Sequence, residues 1–556
     1  MELRSQRAAA VVLALLAAVL CAAGTAQAQD LNLAASQTKP PSGYRLNAHQ
    51  AIAIADRDPK VLAERPKHHE FRAYAYDKGA VKQWQVSYFG GGKELAQLTI
   101  DDATGAVLES WTGPQVAWKM ARGYEGAFGS KVNAPYIWLP LCALFIAPFV
   151  YLRRPFRLLH FDLLVLLAFG ASHVFFNRGE IDVSVPLAYP VLVYLLARLL
   201  WEGSRRSRAA GRGPLIPYAR PIWLAMALIF LVGFRIALNI ADANVIDVGY
   251  AGVIGADRIT HGHGLYAGDF PKDNEHGDTY GPVDYLVYVP FEQAFPWDGK
   301  WSDLPAAHAA AIFFDLVTLL GLLVLGRRLR AGPAGRDLGV VLAYAWAAYP
   351  YTLYALNSNS NDTLVAAALV WALVALRSPP ARGVFVALGA AAKFVPLALA
   401  PLFATASHER RGRGALVFSV VLAVVVVAAF APFVPHGGVR QIWDQTLGYQ
   451  LGRESPFSIW GQHAGLAPLW TAVKVAAGLL ALAVAFVPRR KTPVQVAALG
   501  AAVLVALQIA ASHWFYLYVV WFAPLAFVAF MCRHVPERAP PAPVRTPERE
   551  PELAVA

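Results

Sequence analysis

The chain has 556 residues, 57% of them hydrophobic and only 15% charged. Its apolar residues fall in blocks about as long as a bilayer is thick, which excludes an ordinary soluble enzyme. The formal charge of +12 sits in short clusters between those blocks, including Arg153-Arg154, Arg205-Arg206, Arg327-Arg328, Arg410-Arg411 and Arg489-Arg490; this is a positive-inside pattern and not a nucleic-acid surface.

Residues 1–28 read as a cleavable secretion signal: Arg4 and Arg7, an apolar run from Ala8 to Ala23, then small residues flanking Gln27, with cleavage expected after Ala28. Cys21 is preceded by Leu20, which is too large for lipoprotein processing. Cys142 and Cys532 lie in or beside apolar segments, so the exported regions have no cysteine pair for a disulfide or a metal.

Residues 29–130 have ordinary polarity, with a helical stretch from Leu46 to Ala55 and alternating runs around Trp84 to Tyr88 and Leu95 to Ile100. An acidic turn, Asp101-Asp102-Ala103-Thr104-Gly105, precedes Ala106-Val107-Leu108. Over about eighty residues this order resembles the PepSY family of small extracytoplasmic α+β domains. The resemblance implies a binding or inhibitory role, and no catalytic constellation occurs in this stretch.

Spanning helices are expected near 135–152, 159–176, 183–201, 220–240, 306–326, 338–356, 361–376, 415–435, 465–487, 494–512 and 515–532. The fold class is therefore a membrane all-α polytopic bundle of about eleven helices behind a small α+β domain. Three additional helices occupy 131–219, a core 220–533, and a Pro-, Glu- and Arg-rich tail without expected structure 534–556. Alternation of the basic loops puts the N-terminal domain outside a bacterial inner membrane and the C-terminus inside. Gly383 to Ala406 is flanked by basic loops at both ends, and with Lys393 and Pro396 at its centre it reads as a broken, re-entrant hairpin.

Two long loops, Ala241 to Pro305 and His436 to Ala464, are dense in polar and aromatic residues. In the first, Asp247 is followed by Tyr250, by Gly264-Leu265-Tyr266, and by Tyr280-Gly281-Pro282. With Asn357-Ser358-Asn359-Ser360-Asn361-Asp362, Lys393-Phe394-Val395-Pro396-Leu397 and Ser512-His513-Trp514-Phe515-Tyr516, this order resembles the GT-C class of polyprenyl-phosphate-sugar-dependent glycosyltransferases. Within that class it is most similar to the bacterial polyprenyl-phosphate-mannose-dependent mannosyltransferases of the family 87 type, from about residue 220 to 530.

The resemblance implies that Asp247 is the catalytic base, taking a proton from the acceptor hydroxyl. A departing lipid phosphate needs cations or donors, and the candidates are Lys393, Arg453 and His513. The alternatives are a snorkelling Lys393, an Arg453 paired with Glu454, and a His513 incidental to an aromatic belt. Tyr250, Tyr266, Tyr280, Asn357, Asn359 and Trp460 are candidates for sugar or acceptor contacts; Asn361 and Asp362 either bind sugar hydroxyls or cap the following helix, and the cap is favoured. No firm metal site emerges, although Asp242, Asp247, Asp257 and His261 lie close in sequence. The expected partners are a polyprenyl-phosphate sugar donor, a lipid or glycan acceptor and membrane lipids. A flippase or transporter of lipid-linked glycans, or a sensor with a ligand-binding exported domain, are the competing classes, and only one broken helix is evident where a transporter would pair two.

Overall fold

The computed structural model of the protein describes residues 31–122, 131–205, 213–302, 304–406, 411–453 and 455–535. The expected signal and its cleavage point, most of the tail, and Glu454 lie outside them. Near the N-terminus, five antiparallel strands follow chain order: β1 (Asn32–Leu33), β2 (Arg72–Asp77), β3 (Gln83–Gly90), β4 (Lys93–Asp101) and β5 (Val107–Thr112). Trp84, Val86 and Tyr88 alternate with Gln85 and Ser87 along β3, and their face packs on Ala48, Ala51 and Ala55 of α1 (Ala48–Ala55) and on Val61 of α2 (Pro59–Glu64). Asn47 and Gln50 close a reciprocal capping box that starts α1. The acidic turn joins β4 to β5, and Asp102 accepts from Leu46 N–H at 2.9 Å and Trp84 Nε1 at 3.0 Å, locking helix to sheet.

Eight helical segments among the described residues are long and apolar enough to cross a membrane. They are α4 (Leu158–Asn177), α5 (Ile181–Ser204), α6 (Pro221–Ala241), α8 (Pro305–Leu329), α14 (Pro493–Ala510), and the segments Gly412–Phe433, Ala464–Phe486 and Tyr516–His534. They contain, respectively, α12 (Arg411–Phe430, starting one residue earlier), α13 (Ala467–Phe486) and α15 (Val519–Met531). The other three expected spans are shorter or broken. The first is α3 (Pro135–Ile146), carrying Pro140 inside. The run expected over 338–356 is α9 (Gly332–Ala348), interrupted at Tyr349 because Pro350 holds its predecessor extended, then Pro350–Asn357. The third is α10 (Asp362–Val374), 13 residues long and so only ~20 Å by helical rise.

The break at Tyr349 frees backbone carbonyls inside the bundle, and the fully buried Arg235 of α6 answers them. Its guanidinium pairs with Asp315 at 2.6 Å and donates to the Ala347 and Thr352 carbonyls.

The segment from 383 to 406 is a hairpin. α11 (Pro379–Ala392) ends at Lys393, a 3-10 turn runs over Val395–Leu399, and a short helix over Ala400–Ala404 returns. Arg382 donates to Ala404 O at 3.3 Å, so the two ends of the hairpin meet at one end of the bundle. At its tip, Gly281 N–H donates to Ala392 O at 2.9 Å, and a Cβ on Gly281 would strike Ala391 O at 2.0 Å. Only glycine lets the Tyr280-Gly281-Pro282 loop approach so closely.

Candidate active site

Asp247 opens α7 (Asp247–Thr260), a helix lying within the first long loop. The chain before it is tied to the Asn357–Asp362 junction by ladder-like bonds: Asn244 N–H donates to Asn357 O and Ile246 N–H to Ser358 O. Asn357 Nδ2 donates to Asp242 O, and Asn359 Nδ2 donates to Asn244 O. Gly249 completes the fit, since a Cβ there would meet Asn359 O at 2.1 Å. Asn357 and Asn359 thus set where Asp247 sits and lie outside the cavity it faces.

That cavity has a volume of about 710 Å³, and most of its lining side chains are apolar. Asp247, Tyr280, Lys393, Arg453 and His513 all line it, brought together from four separate stretches of chain. Tyr250 is buried against Trp301, with ring centres 4.8 Å apart, and its hydroxyl bonds Asp273. Tyr266 is buried and donates to Tyr280 O, and Trp460 donates to Ile509 O. All three lie outside the lining.

The polar groups of the cavity differ in how far they are already satisfied. Asp247 is half-buried, and its carboxylate accepts from Val248 N–H at 3.0 Å; it forms no ion pair among the described residues. Burial pushes its carboxyl above the usual range, against the pull of Arg453, the Val248 amide and Lys393. Arg453 also lacks an ion pair among the described residues, and its buried Nε has no hydrogen-bond partner. Its guanidinium lies 4.7 Å from the Trp118 ring centre and 6.0 Å from that of Tyr449. His513 Nδ1 is 2.8 Å from Ser455 Oγ, and burial, with the Arg453 charge, pushes this imidazole well below its ordinary pKa, so it is neutral.

Lys393 is different. Its ammonium does not snorkel away but pairs at 2.6 Å with Asp362, and both side chains are buried. Trp521 Nε1 donates to the same carboxylate oxygen at 2.9 Å, and Ser360 Oγ bonds the other. Asp362 begins α10 but spends its carboxylate across the bundle, and Asn361 makes no cap: its amide donates to Asp284 at 2.6 Å. The helix-cap expectation for this pair is corrected by these bonds. Tyr280 and Trp521 present their rings to Lys393 at 5.3 and 5.7 Å.

Two charged lining residues were not assigned to the site by sequence reasoning. Lys474 is exposed on α13 with its ammonium 3.7 Å from the Trp470 ring centre, and a lysine two turns into an apolar span was the available signal. Asp362 was legible as a cap or a sugar contact, and not as the partner of Lys393. Asp257 pairs with His261 at 3.1 Å and Asp242 accepts from Lys131 N–H at 2.7 Å, so the acidic loop is dispersed. Among the described residues no three His, Cys, Asp or Glu side chains gather as a metal site.

In this bundle of apolar helices the cavity joins a carboxylate and a guanidinium that form no ion pair among the described residues, and a family comparison indicates a membrane glycosyltransferase. Residues 279–512 match the model of Glycosyltransferase family 87, and this stretch supplies Tyr280, Asp362, Lys393, Arg453 and Lys474. Asp247 and His513 flank the matched region on either side. No curated protein matches the chain.

Proposed function

We propose that the protein transfers a hexose, mannose by the resemblance of its motifs, from a polyprenyl phosphate donor to a lipid or glycan acceptor on the outer side of a bacterial inner membrane. The observation that carries this reading is the presence, in one cavity, of a carboxylate and a guanidinium that have no ionic partner among the described residues. Asp247 removes the acceptor hydroxyl proton as that oxygen attacks the anomeric carbon. The bond from that carbon to the phosphate oxygen breaks, its electron pair stays on the phosphate, and polyprenyl phosphate leaves. Arg453, paired with no carboxylate among the described residues, meets the growing phosphate charge, and neutral His513 adds one N–H. Lys393 contributes less charge than its sequence context suggests, because Asp362 already answers it; with Tyr280 it shapes the sugar end of the cavity. Lys474, on a mostly lipid-facing helix, stands where a lipid-borne phosphate would arrive.

The test is transfer of label from radiolabelled polyprenyl-phosphate mannose into lipid or glycan by membranes containing the protein. The expected result is label incorporation that Asp247→Asn slows on the order of a hundred-fold or more. Incorporation from a nucleotide sugar but not from the lipid donor would overturn the reading.

A further inference from the structure

The residues that leave the sheet domain do not run straight into the membrane. After β5 a short helix, Pro114–Ala117, turns the chain back, and a 3-10 turn over Lys119–Arg122 follows. Arg122 staples this turn: Nε donates to Gln115 O at 2.8 Å, and Nη2 donates to Val116 O at 3.1 Å and to Gln97 Oε1 of β4 at 2.5 Å. Its guanidinium also lies 5.5 Å from the ring centre of Trp111 on β5. Gln115 Nε2 in turn donates to Gly179 O between α4 and α5, at 2.9 Å. The turn is thus clamped to the sheet on one side and to the bundle on the other.

What the clamp delivers is Trp118. Its indole lies 4.7 Å from the Arg453 guanidinium, 5.7 Å from the His513 ring and edge-on to Phe457 at 5.6 Å. Met120, two residues on, lines the cavity itself. Arg453 follows a helix end and has neither a carboxylate nor a partner for its buried Nε among the described residues, so ring faces take the place of the ion pair that usually fixes an arginine.

We infer that Trp118 is a positioning residue for Arg453, so that the sheet domain, through its exit turn, forms part of the phosphate end of the catalytic cavity. This rests on the reading of Arg453 as the cation that meets the donor phosphate. Loss of the indole leaves the guanidinium present but unaimed, and binding of the donor suffers before chemistry does.

The experiment is a double-mutant cycle on the full-length protein in detergent, reading KM and kcat for radiolabelled polyprenyl-phosphate mannose. Trp118→Ala raises donor KM about two- to thirty-fold, the range a cation–π contact supports, with a smaller change in kcat, whereas Trp118→Phe, which keeps a ring face, restores most of the loss. In an Arg453→Ala background, Trp118→Ala adds nothing further. Should Trp118→Ala fail to accumulate, Trp118→Leu keeps apolar volume without a ring and completes the same cycle. Equal KM rises in both backgrounds, or wild-type KM in Trp118→Ala or Trp118→Leu, would overturn the inference while leaving the phosphate role of Arg453 intact. An Arg453→Ala variant with unchanged donor KM removes the premise instead, and is seen without touching Trp118.

Discussion

Replacing Lys393 by Met removes the only ionic partner of Asp362 among the described residues, with side-chain exposures of 8% and 1% for the two groups. At that depth solvent cannot take over, and the carboxylate keeps only the Trp521 indole and the Ser360 hydroxyl. Breaking a buried pair from one side costs about 3–5 kcal/mol, because the remaining charge is left uncompensated. Lys393→Met is therefore expected to lower the thermal midpoint in detergent and to reduce accumulation, in contrast to a simple loss of donor affinity. The double variant Lys393→Met, Asp362→Asn removes both charges and is expected to recover most of that stability without recovering full turnover. The assay is thermal unfolding of purified single and double variants, followed by transfer measured at saturating donor. A Lys393→Met protein as stable as wild type, or a double variant less stable than both singles, would refute the coupling.

Two further predictions use groups in the two long loops. Burial pushes the Asp284 carboxyl up to about 7, and its Oδ1 is buried without a partner. Between the ordinary carboxylate range, ~4, and about 7 the folded chain holds a proton that the unfolded chain has released. Stability from this group is complete below that window and lost as pH rises through it, so Asp284→Asn is expected to flatten the fall in thermal midpoint between about pH 5 and about pH 8; parallel slopes for the two proteins would count against it. The Arg453 charge lowers the Asp247 pKa that burial raises. Arg453→Gln is accordingly expected to move the acidic limb of the kcat profile to higher pH, and an unmoved limb would show that the two groups do not sense each other.

Much of the architecture was legible because hydrophobic block length and loop charge are local signals. The hairpin from 383 to 406 followed from two basic flanks and Pro396, and the sheet domain from alternation in β3 and β4. Spans were harder where helices hide inside protein: α10 is too short to cross a bilayer alone, and its charged first residue is covered by Lys393 and Trp521. The candidate site was legible one residue at a time but not in its pairings. Asp362 and Lys393 are 31 positions apart, and beside Asn361 the nearer explanation for Asp362 was a cap. Tyr250 and Tyr266 carried the right chemistry for a sugar contact, yet their hydroxyls are used in holding the loop together. Trp118 was invisible because nothing in its own neighbourhood shows that the exit turn folds back onto Arg453.

The central claim is that Asp247 acts as the base. Asn keeps an oxygen that can accept from Val248 N–H, no ion pair among the described residues is lost, and the fold is expected to change by no more than about half a kcal/mol. Single-turnover transfer from radiolabelled polyprenyl-phosphate mannose by purified Asp247→Asn, beside Asp242→Asn and Asp257→Asn, tests it directly. The predicted result is a loss on the order of a hundred- to ten-thousand-fold in the chemical step for Asp247→Asn alone, with donor affinity near wild type. An active Asp247→Asn enzyme beside an inactive Asp242→Asn or Asp257→Asn would contradict it.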